Sequence, residues 1–128
     1  MISITTKSPY AVAALAELGV SGDGPVPIGE LARRRDIPTQ FLEQLFATLR
    51  RAGVLKSQRG VKGGYSFARD PGSVTVLEVV ELLDGPLGRD SEGVFGEAAE
   101  AARAVLEGVT IADVIERERA QTGSMYYI

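Results

Sequence analysis

Residues 38–68 read PTQFLEQLFATLRRAGVLKSQRGVKGGYSFA, and the fold turns on them. Phe41, Leu42, Leu45, Phe46 and Leu49 recur three or four apart, the period of one helix face, while Gln40, Glu43, Gln44, Ala47 and Arg51 take the other. Pro38 suits a first helical turn, where its missing N–H would be unpaired in any case, and Gly53 supplies a stop beyond Arg51. The period then changes. Residues 54–58 and 65–68 read as short strands joined by the glycine-rich 59–64, so a β-hairpin follows the helix directly. Alone, the RGVKGG tip reads as an ordinary flexible turn; a phosphate-binding loop would need a helix after it, and a strand follows.

Toward the N-terminus, Ile28, Leu31 and Ala32 mark a short helix ending in Arg33, Arg34 and Arg35, with only Asp36 and Ile37 before Pro38. Two helices joined by so tight a turn form a helix-turn-helix. Before them lies a helix over 6–19 carrying Ala11, Val12, Ala14, Leu15 and Leu18, with Thr5 or Thr6 to cap it and Gly19 to end it, then a loop at 22–25. Toward the C-terminus, Val74, Val76, Leu77, Val79, Val80, Leu82 and Leu83 predict a fourth helix opened near Thr75 and stopped by Gly85 and Pro86. After a polar loop, the spacing over 94–106 puts Val94, Phe95, Ala98, Ala102, Val105 and Leu106 on an Ala-lined stripe that admits another helix closely, as a dimerisation element. A last helix over 111–120 starts at Thr110, and Gly123 breaks it before Met125, Tyr126, Tyr127 and Ile128. The expected fold is mainly α with a small β-hairpin wing: a winged helix-turn-helix over 1–84, a linker with dimerisation or regulatory helices over 85–122, and a tail over 123–128.

The 128 residues contain neither Cys nor His, which removes thiolate nucleophiles, imidazole bases and the usual ligands of zinc, haem and iron–sulfur sites. No catalytic residue, metal site or cofactor is expected. No apolar run approaches the ~20 residues of a membrane span and the start lacks a signal-peptide pattern, so a cytoplasmic protein is expected. The net charge of −3 conceals an asymmetry. Residues 1–69 hold ten Lys/Arg against five Asp/Glu, and residues 70–128 hold four against twelve. From Arg33 to Arg69 the acids are Asp36 and Glu43 alone, so this half reads as a polyanion site, although solvated helix faces give the same count.

A helix of this kind reads the major groove while the wing touches backbone or minor groove. Gln pairs with adenine N6 and N7, Arg with guanine O6 and N7, and Glu accepts from cytosine N4. Gln40, Glu43 and Gln44 are therefore candidates for base edges and Arg59 for the wing contact, with Lys7, Tyr10, Arg50, Arg51, Lys56 and Lys62 for phosphates.

The segments TTKSPYAVAALAEL (5–18), GPVPIGELARRRDIP (24–38), FLEQLFATLRRAGVLKSQRG (41–60) and GGYSFARDP (63–71) resemble the IscR, NsrR and CymR family of bacterial winged-helix repressors. The resemblance implies a homodimer with crossing penultimate helices, each subunit reading half of a palindromic operator in double-stranded DNA. It adds Thr6 to Lys7 and Tyr10 as phosphate contacts and supports Gln40, Glu43, Gln44 and Arg59 near bases. There are two departures. The family's iron–sulfur members carry three cysteines where 85–96 here has none, and Ser8-Pro9 replaces a Gly-Arg pair, losing a cation. The chain thus resembles the cluster-free CymR type, which implies control of sulfur and cysteine metabolism genes. By the same resemblance Met125, Tyr126, Tyr127 and Ile128 look like the peptide with which serine acetyltransferase enters cysteine synthase, making that enzyme a candidate partner; packing on the core or the dimer mate is the alternative. Two other readings stand beside this one: a repressor of the same fold answering a small molecule or stress signal through 84–106, and a winged-helix interaction module without DNA binding.

Overall fold

A computed structural model describes residues 4–22, 24–88 and 90–126, with the backbone alone at 122–126. Its elements run α1 (Lys7–Val20), α2 (Ile28–Arg35), α3 (Thr39–Arg51), β1 (Leu55–Gln58), β2 (Gly64–Phe67), a 3-10 turn (Pro71–Ser73), α4 (Val76–Asp84), α5 (Gly93–Glu107) and α6 (Ile111–Tyr126). The expected mainly helical fold with a hairpin wing is what forms.

α1 is central because it is apolar around much of its circumference: Ala11, Ala14, Leu15, Ala16 and Leu18 are all buried. It packs on α2, α3, α4 and α6. Phe46, Leu42 and Leu49 of α3, Leu31 of α2, Val79 of α4 and Ile111 of α6 complete one core. Each such side chain contributes about 1.5–3 kcal/mol of transfer free energy on leaving water. Ile111 and Ile115 place α6 in the same core as the helix-turn-helix, whereas α5 lies against α4 over a small separate cluster of Leu77, Val80 and Leu87.

The turn between α2 and α3 is made by Asp36 in the left-handed region (φ 54°, ψ 49°), a conformation Asp tolerates better than most residues. The hairpin pairs Leu55 with Phe67 and Gln58 with Gly64. Gly63 and Gly64 are there for space. A Cβ on Gly63 would fall 2.1 Å from the Gln58 carbonyl oxygen, and one on Gly64 would fall 2.3 Å from Val26, whose backbone exchanges two 2.9 Å hydrogen bonds with Tyr65.

Several local expectations are corrected. Gly19 does not end α1, which continues to Val20; its Cβ would lie 2.2 Å from Ile115 Cδ1, so a bare backbone is what lets α1 and α6 close. Thr6 occupies the cap position of α1 without a side-chain bond, and the Thr5 hydroxyl accepts from the Lys7 N–H instead. The 3-10 turn at 71–73, capped by Asp70, lies where the sequence pattern marks no element. α6 does not stop at 120: it passes through Gly123 to Tyr126, because a single glycine costs a helix only about 1 kcal/mol. Its start is a reciprocal box, Asp113 N–H to Thr110 Oγ1 and Thr110 N–H to Asp113 Oδ2, and the Asp113 carboxyl is held below its usual range by those Thr110 bonds.

Candidate nucleic-acid interface

α3 opens at Pro38, whose carbonyl accepts from the Leu42 N–H, and buries Leu42, Leu45, Phe46 and Leu49. Burying that stripe leaves Gln40, Glu43 and Gln44 exposed, one turn apart on the outer face of the first half of the helix. Arg50 and Arg51 are exposed at its end. Arg50 donates to Ser57 Oγ on β1 and Arg51 to Thr48 Oγ1.

The neighbouring elements are tied to α3 by rings. Tyr65 of β2 meets Phe46 edge-on at 5.2 Å, which seats the wing on the helix, and Tyr10 of α1 meets Phe41 edge-on at 5.7 Å, which sets the start of α1 beside the start of α3. Thr6, Lys7 and Tyr10 are exposed there. At the wing tip Gly60 adopts φ 110° and the Gly63 N–H closes the turn on the Gly60 carbonyl, which leaves Arg59, Val61 and Lys62 standing in solvent. Lys56 and Gln58 turn to the wing's other side, over a cavity of about 590 Å³ lined with Leu18, Phe67, Ile115 and Arg119. The predicted phosphate contact Lys56 thus lines this cavity.

The arginine run of α2, by contrast, is engaged inside the molecule. Arg33 and Arg34 bond Glu30, Arg34 also reaches Glu17, and Arg35 bridges Glu17 (3.0 Å) and Glu118 of α6 (3.2 Å). The Arg33 hydrogen bond holds the Glu30 carboxyl below its usual range. Burial works against the Arg35 charge, but Glu118 and Glu17 outweigh it and raise its pKa. Arg69 grips Glu78. The basic half of the sequence therefore reduces to Lys7, Arg50, Arg51, Arg59 and Lys62, with Lys56 behind the wing; among the described residues none of these six has a carboxylate within ion-pair distance.

The predicted dimer stripe on α5 divides. Ala102 and Leu106 pack on the Leu77 cluster, while Val94, Phe95 and Val105 are 66–69% exposed and Ala98 is exposed between them. Ala101, also exposed, completes a 94, 98, 101, 105 seam at helical spacing. At the end of α6 the backbone reaches Tyr126; Tyr127 and Ile128 lie outside the described residues.

The comparisons with known proteins converge. The family model Rrf2, described as an iron-dependent transcriptional regulator, matches residues 4–117. The transcriptional regulator IscR of Enterobacter sp. is 40% identical over 82 residues, 63% of this chain and 50% of that protein, so the chain spans about half its length. Among solved structures, CymR, "the Global Cysteine Regulator of B. subtilis", superposes with a TM-score of 0.82 at 30% identity, covering 91% of this chain and 98% of that one. The IscR of T. potens gives 0.80 at 35%, covering 91% and 88%. The chain belongs to the Rrf2 family of winged-helix transcriptional regulators. The iron in the family's description has no matching donors in this chain: there is no Cys or His, and among the described residues no cluster of acids could hold a metal ion.

Proposed function

We propose that this Rrf2-family chain is a DNA-binding regulator that works as a homodimer on a palindromic site. The observation that carries the reading is that, among the described residues, Arg50, Arg51, Arg59 and Lys62 at the end of α3 and the wing tip have no carboxylate within ion-pair distance, and Lys7 at the start of α1 feels only Asp84 beyond that distance, in a protein whose net charge is negative. In this reading α3 lies in the major groove with Gln40, Glu43 and Gln44 toward base edges. Arg59 enters the adjoining groove from the wing. Thr6, Lys7, Tyr10, Arg50, Arg51 and Lys62 meet phosphates, and Lys56 adds to the field from behind. The α5 seam supplies the two-fold contact that a palindrome requires, since Val94, Phe95, Ala98 and Val105 stand exposed among the described residues. Ala98→Glu places a charge there. Sedimentation should show the dimer dissociating in that variant, and an unchanged dimer or a wild-type monomer at micromolar concentration removes the interface.

The regulated genes, in the same proposal, are those of sulfur and cysteine metabolism, repressed through a complex with cysteine synthase. Support comes from the likeness to the B. subtilis cysteine regulator and from a donor set that cannot carry the iron chemistry of other relatives. The stretch from Met125 through Tyr126 and Tyr127 to Ile128 is the candidate contact. Calorimetric titration into cysteine synthase, with and without these four residues, tests it: binding lost on deletion supports the partner, and equal affinity or no binding by either removes it.

A further inference from the structure

The Ser8-Pro9 departure has a structural counterpart. Ser8 is a buried polar residue, 2% exposed, and its hydroxyl donates to Oδ2 of Asp84, the last residue of α4. Thr5 Oγ1 donates to the other oxygen, Asp84 Oδ1. Each oxygen of one carboxylate thus accepts a hydroxyl, one from Thr5 just before α1 and one from Ser8 in its first turn, across more than seventy residues of chain.

That turn needs an anion. It contains no acidic residue and its cap position makes no side-chain bond, although a helix N-terminus carries roughly half a positive charge; the Thr5 hydroxyl accepts from the Lys7 N–H but brings no charge. Asp84 supplies the missing charge from another element. Lys7 lies between the two hydroxyl residues, and Tyr10 follows one turn after Thr6.

We infer that Asp84 is a positioning residue for the nucleic-acid contacts at the start of α1: by gripping Thr5 and Ser8 it holds Lys7 and Tyr10 in place. The inference rests on the DNA-binding reading above. Phosphate contacts depend on where the cation is held, because a flexible lysine must be ordered before it gains from an anion. Asp84 is followed directly by Gly85, at φ 84°, and Pro86, so the same carboxylate ties the α1 contacts to the segment leading into α5.

A double-mutant cycle tests this, using the full chain and the duplex it selects from random-sequence DNA. Lys7→Ala, Asp84→Ala and the pair are titrated against salt, with Lys62→Ala as a reference cation on the wing. Lys7→Ala should cost on the order of fivefold and lower the slope of log affinity against log salt by about one per subunit. In the Asp84→Ala background it should cost nothing further, whereas Lys62→Ala should cost the same in both backgrounds. Ser8→Ala is the milder second variant, should Asp84→Ala not fold, and should reduce the Lys7 effect. Full additivity of Lys7 with both Asp84 and Ser8 overturns the inference, as does a Lys7→Ala variant that binds like wild type while Lys62→Ala is weakened. If neither lysine matters, the DNA-binding reading itself fails.

Discussion

Two clusters of cations lie in the basic half of this chain, and composition does not tell them apart. Arg33, Arg34 and Arg35 close α2; Arg50, Arg51, Arg59 and Lys62 end α3 and build the wing tip. In the fold the first cluster meets Glu17 and Glu118, which arrive from α1 and α6, while the second meets no acid among the described residues. The lesson is that charge along a sequence becomes surface potential only after distant elements have taken their share. Cations that find carboxylates hold helices together, and those left over are available to a polyanion.

The sharpest way to break this contrast is to truncate side chains of the α3 and wing surface on one hand and of the α2 arginines on the other, and to measure both stability and DNA affinity. Gln44→Ala and Arg59→Ala should each lose about 1–3 kcal/mol of specific DNA binding, with relaxed preference at particular base pairs, and keep the wild-type thermal midpoint. Arg35→Ala should do the opposite. It removes the cation that bridges Glu17 of α1 to Glu118 of α6, so about 1 kcal/mol of stability should be lost while the salt dependence of DNA binding stays unchanged. Loss of DNA affinity in Arg35→Ala with an unchanged midpoint would merge the clusters again.

Smaller effects sharpen the same line. Lys62→Ala should weaken all duplexes alike and reduce the salt slope by about one, whereas Arg33→Ala, an exposed pair with Glu30, should change neither property measurably. Acid separates the clusters once more. The Glu30 carboxyl is lower in the folded state than in the unfolded chain, so its contribution is present above the unfolded value near 4.3 and fades as pH falls through the lower folded value. Glu30→Gln should flatten that part of an acid unfolding curve slightly, and an unaltered curve would show that the pair adds nothing.

Much of this was legible in the sequence for definite reasons. The 41, 42, 45, 46, 49 spacing, Gly53 and the glycine-rich 59–64 are local signals, and they located α3 and the wing to within a residue. Thr75 behaves as a side-chain cap on the Glu78 N–H, another local signal. What the sequence concealed depends on pairs far apart. Gly19 reads as a stop because glycine often ends helices; its use here is set by Ile115 on another helix. Ser8-Pro9 reads only as a lost cation until Asp84 is brought against Ser8. Ala102 and Leu106 of the α5 stripe face its own α4 because periodicity finds an apolar face without saying what covers it.

Selection of binding sites from random-sequence DNA, run in parallel on wild type, Gln44→Ala and Arg59→Ala, tests the central claim most directly. The account predicts that wild type recovers an inverted repeat, that Gln44→Ala loses discrimination at defined positions within each half, and that Arg59→Ala loses it at a separate set of positions, both symmetrically about the centre. Recovery of an asymmetric site, or of one and the same site with equal discrimination by all three proteins, would contradict it.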